Sequence, residues 1–193
     1  MTLSIVRANY LNDQHRAAIA NLLNDYASDP MGGGTPLDTY VVSSVAEELA
    51  KLPYAASFLC FVGGSADGSG DESAGGIADS CTDNCTDSIP VGLINCFEGF
   101  STFKAKKLIN IHDIYVAAEY RGQGISRMLV SAVETLASSR DCCQLPLEAL
   151  ASTRLAKPAY ADKGFKREEL DAQQGYTRYR AKSLRAQECD DRH

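Results

Sequence analysis

The chain has 193 residues, 45% of them apolar and 23% charged, which suits one globular domain with a full core and is short for two. A net charge of −6 argues against nucleic acid as a partner, since gripping phosphates takes a basic face, and it suits a cationic ligand. No stretch approaches the roughly 20 apolar residues of a membrane span, and Met1–Arg7 lacks the basic start and apolar run of an export signal, so the protein is expected in the cytoplasm.

In chain order, residues 3–8 (Leu-Ser-Ile-Val-Arg-Ala) predict a first strand. Asn12 or Asp13 then caps a helix with Ala18, Ile19, Leu22, Leu23 and Tyr26 on one face. Asp29-Pro30-Met31-Gly32-Gly33-Gly34 ends it, because proline removes a donor and a glycine run cannot hold a helix. Ser44 and Glu47 have the spacing of a capping box for a short second helix through Leu52. Two β-rich runs follow, Ala56–Val62 and Pro90–Phe97. Between them, about 63–88 is almost wholly Gly, Ser, Ala, Asp, Asn and Thr, a composition that buries too little to order itself. It reads as a low-complexity insertion at a hairpin tip, with a substrate-gating lid as the functional alternative.

Leu108–Val116 alternates and is β-branched, so it predicts a strand. After a glycine-bearing turn, a helix from about Ile125 to Ser138 is expected to bury Ile125, Met128, Leu129, Ala132, Val133 and Leu136. Leu145–Ala151 predicts a strand, Thr153–Lys163 a short helix stopped by Gly164, and Phe165–Leu170 and Tyr176–Ala181 two last strands. This order is that of a mixed α/β (α+β) domain spanning 1–193. Seven cysteines, an odd number in a chain without an export signal, do not form a disulfide framework. Cys60, Cys96, Cys142 and Cys143 lie in or beside apolar runs and read as buried thiols. Cys81 and Cys85 form a CxxxC without a nearby histidine, so no metal site is expected.

The turn Arg121-Gly122-Gln123-Gly124 carries the most chemistry. A strand-to-helix turn of this kind offers backbone N–H groups at the positive end of a helix dipole, and glycines admit a ligand without a Cβ in the way. A diphosphate fits there, and Arg121 can add a charge-assisted bond. The absence of Gly-Lys-Ser/Thr excludes a P-loop, and Arg127 stands where a dinucleotide GxGxxG needs glycine. On two glycines alone, an ordinary turn is the better reading.

Arg121-x-x-Gly124-x-Ser126 resembles the Arg/Gln-x-x-Gly-x-Gly/Ala signature of the GNAT superfamily of acyl-CoA N-acyltransferases. Downstream, Ala156-Lys-Pro-Ala-Tyr160-Ala-Asp-Lys-Gly164-Phe165 resembles that family's A-x-x-x-Y-x-x-x-G-F segment. The element order corresponds from residue 3 to about 181, apart from the insertion. The resemblance implies a mixed, mostly antiparallel sheet flanked by helices, with acetyl-CoA as co-substrate and no metal. It implies that amides of Gly122, Gln123, Gly124, Ile125 and Ser126 hold the CoA diphosphate. It implies that Val116 and its neighbours, Tyr115 and Ile114, pair with the pantetheine arm. The Ile114 N–H would face the thioester carbonyl, and Tyr160 would protonate the departing thiolate; a tyrosine packed on the sheet is the alternative. Thr153 stands where many relatives have a cofactor-side asparagine, Ser126 where Gly or Ala is usual, and Pro158 interrupts the short helix.

An alkylammonium must lose a proton before it attacks, so the acceptor side needs a base, a water chain or desolvation. Asn110, His112, Ile114 and Val116 share one strand face, and Asp113 and Tyr115 the other. Relatives often carry glutamate at the position of Asn110; here His112 is the first choice, since imidazole exchanges protons near neutral pH. Asp113 resembles one of two acidic groups that polyamine-type relatives place beside the substrate. A histidine satisfied in the sheet and an aspartate in a structural bond are the alternatives. Glu98 could line the acceptor pocket or be a solvated turn carboxylate, and the Met31–Gly34 loop could border it. The leading expectation is acetyl transfer to a small amine, an N-terminus or a lysine. A longer-chain acyltransferase and a CoA-binding sensor without turnover are the rivals, and a homodimer is left open.

Overall fold

The computed structural model describes residues 2–63, 88–148, 166–167 and 179–183. Three helices and seven strands run in the order β1 (Leu3–Arg7), α1 (Asp13–Ser28), α2 (Thr39–Ala50), β2 (Ala55–Val62), β3 (Ile89–Ser101), β4 (Lys106–Val116), α3 (Ile125–Ser139), β5 (Gln144–Glu148), β6 (Lys166–Arg167) and β7 (Tyr179–Ser183) among the described residues. The sheet is mixed: β4 and β5 are parallel, whereas β1–β2, β5–β7 and β6–β7 are antiparallel. The chain gathers into two compact units, one of residues 1–96 and 113–132, the other of 97–112 and 133–193.

In the first unit the strands order as β1–β2–β3–β4. Leu3 pairs with Val62 and Arg7 with Phe58. All eight residues of β2 are buried, as its unbroken run Ala-Ala-Ser-Phe-Leu-Cys-Phe-Val requires. Val91, Leu93 and Ile94 of β3 join Phe58, Phe61, Ile19 and Leu22 in this core. Ile125 and Leu129 of α3 complete it. Gly92 permits that packing: a Cβ there would sit 3.0 Å from Ile125 Cγ2 and 3.3 Å from Leu129 Cδ1. Asn12 caps α1 as expected, its Oδ1 accepting from the His15 N–H at 3.0 Å.

The expected cap of α2 is corrected. The helix begins at Thr39, not after Ser44, because Asp38 Oδ1 accepts from the Tyr40 N–H at 2.8 Å. Ser44 lies inside the helix and donates its hydroxyl to the Tyr40 carbonyl, the back-bond that a mid-helix serine makes. The buried face of α3 also differs: Val130 and Ala137 are buried, while Met128 is 36% exposed.

In the second unit the strands order as β4–β5–β7–β6. Leu108 pairs with Gln144 and Ile111 with Leu147, and Glu148 pairs with Tyr179. Among its buried apolar residues are Ile109, Ile111, Val133, Ala137, Leu145 and Leu147. Strands β3 and β4 are longer than the apolar runs that predicted them, because each arm of a hairpin supplies backbone partners for the other beyond the buried stretch. The insertion, Cys81, Cys85 and the expected Thr153–Lys163 helix lie outside the described residues.

Candidate acyl-CoA site

Strand β4 ends at Val116, a single 3-10 turn over Ala118–Tyr120 follows, and α3 starts at Ile125. Gly122 and Gly124 take φ of +80° and +84°, and nothing lies within 4 Å of a Cβ built on either. Side-chain-bearing residues rarely adopt that backbone. The Arg121 N–H bonds Ala118 O, and those of Arg127 and Met128 bond Gly124 O. Among the described residues, none of the N–H groups of Gly122, Gln123, Gly124 and Ile125 donates to a backbone carbonyl. Amides at the start of a fifteen-residue helix, where the helix dipole adds positive charge, are a donor set that suits an anion. A diphosphate fits this donor set.

Arg121 is tied into the protein. One guanidinium nitrogen meets Asp29 Oδ2 at 2.6 Å, Nε donates to Val116 O at 2.9 Å, and the group lies 5.7 Å from the Tyr115 ring centroid. Any contact from Arg121 to a phosphate is therefore shared with Asp29. The Arg121 bond, then that of the Met31 N–H, holds the Asp29 carboxyl below its ordinary range. Tyr115 also packs against Tyr26, with centroids 5.8 Å apart. Burial raises both phenols; Tyr26 also feels the negative charge of Asp113 and Asp29, and Tyr115 that of Asp25. These carboxylates and rings suit a cation.

Asp113 accepts from Asn95 Nδ2 at 3.1 Å. Asn95 in turn accepts from Ser57 Oγ at 2.6 Å, and Ser57 lies 2.9 Å from Tyr10 Oη. Ile114, Tyr115 and Val116 complete the strand beside it, half-buried. Sequence reasoning missed Asp29, Asn95, Ser57 and Tyr10. A usable signal existed: Ser57 and Asn95 are polar residues inside apolar strand runs, and a buried polar residue is the informative exception.

In the second unit, His112 is exposed and stands edge-on to Phe97, centroids 5.7 Å apart at 90°. Glu98 has Oε1 2.9 Å from Lys107 Nζ and Oε2 2.9 Å from Arg140. Lys107 above all holds the Glu98 carboxyl below its ordinary range. Thr153 and Tyr160 lie outside the described residues. Among the described residues no three His, Cys, Asp or Glu side chains gather as a metal site, and no helix is long and apolar enough to cross a membrane.

The acetyltransferase (GNAT) family model matches residues 68–165, half of the chain, and spans both motif segments. A thialysine N-ε-acetyltransferase of Bos taurus is 38% identical over 64 residues, 33% of this chain; the match spans 37% of that relative's own length. Among solved structures, a ribosomal-protein-alanine N-acetyltransferase from Brucella melitensis biovar Abortus 2308 superposes with a TM-score of 0.61 at 16% identity, covering 91% of this chain and 100% of that one. The NatC complex bound to Gag peptide and CoA gives 0.63 at 20% identity, covering 96% and 100%. At such identities these structures show the fold. The chain belongs to the acetyltransferase (GNAT) family, a class of acyl-CoA N-acetyltransferases.

Proposed function

We propose that this protein transfers an acetyl group from acetyl-CoA to a primary amine of a cationic small molecule or peptide by direct attack on the thioester, the whole chain working as one N-acetyltransferase domain. The observation that carries this reading is the turn at Gly122 and Gly124, left-handed at both glycines, where the N–H groups of Gly122, Gln123, Gly124 and Ile125 meet no backbone carbonyl among the described residues. Amides of Gly122 to Ser126 hold the diphosphate, Thr153 contacts the cofactor, and the backbone of Ile114, Tyr115 and Val116 aligns the pantetheine arm. The Ile114 N–H stabilises the oxyanion that develops as nitrogen attacks the carbonyl carbon. His112, on the strand face opposite Asp113, takes through water the proton the ammonium must lose, and Tyr160 returns one to the sulfur as the C–S bond breaks. Asp113 draws the ammonium in, among the carboxylates around Tyr26 and Tyr115. A thialysine acetyltransferase among the relatives supports an ω-amine acceptor.

Two measurements test this. Acetyl-CoA at a hundredfold excess over Kd should stabilise the protein by about 2.7 kcal/mol in thermal unfolding; no shift refutes the proposal. Free-CoA release is then followed across a panel of thialysine, lysine, linear diamines and peptide N-termini. Stabilisation without release from any amine would instead favour a CoA-binding sensor.

A further inference from the structure

Asp113 belongs to a chain of buried and half-buried polar groups that runs through three strands of the first unit, β2, β3 and β4. Ser57 is 1% exposed and Asn95 3%, each set between buried apolar neighbours of its strand, Ala56 and Phe58 on one and Ile94 and Cys96 on the other. Polar side chains are not left in such strands without a partner, because desolvation alone would work against folding.

The direction of every bond in the chain follows from its end. An ionised carboxylate only accepts, so Asn95 must turn its NH2 toward Asp113 Oδ2. Its carbonyl oxygen then faces Ser57, whose single hydroxyl proton is used at 2.6 Å. Ser57 Oγ can therefore only accept from Tyr10, and the phenol is the donor at 2.9 Å. All three donors point toward Asp113. The amide in the middle carries no transferable proton under ordinary conditions, so this chain orients a carboxylate and is no proton wire.

We propose that Tyr10, Ser57 and Asn95 are positioning residues that fix the Asp113 carboxylate for the ammonium of the acceptor. This rests on the reading of Asp113 as an acceptor contact. None of the three touches the reacting atoms, and acetyl-CoA affinity does not depend on them. The carboxylate sits on β4 three residues before the strand ends at Val116. A pre-set orientation there lowers the ordering cost of binding a flexible amine.

The test is a mutant cycle read by free-CoA release, with thialysine or the best-turned-over amine of the panel as acceptor and acetyl-CoA Kd measured alongside. Asp113→Asn should raise the amine KM. Asn95→Leu should raise it on the order of tenfold, the loss of one bond to a charged group, with acetyl-CoA Kd unchanged. Ser57→Ala should act in the same direction and Ser57→Thr, which keeps the hydroxyl, should restore the wild-type KM. In the Asp113→Asn background Asn95→Leu should add nothing further. Should Asn95→Leu fail to fold, Ser57→Ala, Ser57→Thr and Tyr10→Phe carry the same cycle. An unchanged KM in Asp113→Asn refutes the acceptor role of Asp113 itself. A raised KM there, with Asn95→Leu and Ser57→Ala lowering only the melting temperature or acting additively with Asp113→Asn, refutes the positioning role alone.

Discussion

Arg121 and Asp29, 92 residues apart in the chain, meet at 2.6 Å and join the loop after α1 to the turn that precedes α3. The pair is half open on the arginine side, with 42% of the Arg121 side chain exposed and 14% of Asp29. Solvent screening therefore limits it to about 1 kcal/mol. Asp29→Asn should lower the melting temperature by roughly 2–4 °C at pH 7. The sign of the pH dependence follows from the depressed carboxyl. Its stabilisation is whole above the unfolded value of about 3.9 and drains as pH falls through the lower folded value. The melting curves of wild type and Asp29→Asn should differ at pH 7 and converge in strong acid. A difference that persists unchanged at pH 2 would show that the charge of Asp29 is not what holds the loop.

Gly122 and Gly124 place a second prediction on the cofactor side. An alanine at either must hold a left-handed backbone, at about 1–2 kcal/mol, and adds a Cβ where the turn is now open. Isothermal titration with acetyl-CoA should show affinity weakened about tenfold or more in Gly124→Ala. Gly92→Ala supplies the contrast. Its Cβ presses on Ile125 and Leu129, so it should lower the melting temperature and leave affinity nearly intact. Equal affinity in Gly124→Ala and wild type would remove the anion cradle.

How far these features could be read from residues alone depended on range. The α1 cap, the β2 run and the Arg121–Gly124 turn are written in neighbouring side chains, and each was legible. Helix α2 shows how a local rule misleads: Ser44 and Glu47 have the right spacing, yet Asp38 reaches the Tyr40 N–H first and the helix has already begun. The face of α3 shifted because burial follows what lies opposite, and periodicity places Met128 and Val130 only approximately. Asp29 and the Tyr10–Ser57–Asn95 chain were out of reach, since their partners come from distant elements. Ser57 and Asn95 could be flagged as odd in apolar strands; what they bond could not.

Glu98 supports a third prediction, and here stability and substrate binding separate. Both carboxylate oxygens are bonded at 2.9 Å, to Lys107 and Arg140. Glu98→Gln should lower stability by about 1 kcal/mol, the discounted value for partly exposed partners. The loss belongs to pH above about 4.3; it fades as acid protonates the wild-type carboxyl through its depressed folded value. The amine KM should stay within about twofold of wild type, because the two cations already occupy the carboxylate. A KM raised far more than that, at unchanged melting temperature, would make Glu98 an acceptor contact.

Cysteine reactivity gives the last prediction. Cys60 is fully buried in β2, and burial pushes its thiol up to about 11. Cys96 is buried in β3, with Sγ 3.1 Å from Ala56 O. Only the thiolate alkylates at a useful rate, and access adds a second barrier. With iodoacetamide at pH 8, native protein should label at Cys143, which is half-buried, well before Cys60 and Cys96, as read peptide by peptide in mass spectrometry. In denaturant all should label alike. The same shift has a stability consequence of opposite sign to that of Asp29. A thiol raised on folding contributes stability that is complete below the unfolded value of about 8.5 and is lost as pH climbs toward the folded one. Cys60→Ala leaves a small void and should cost stability at pH 7, yet its melting temperature should fall less steeply than that of wild type between pH 9 and 11. Cys60 labelling in native protein as fast as Cys143, or parallel alkaline melting curves, would mean that β2 opens to solvent.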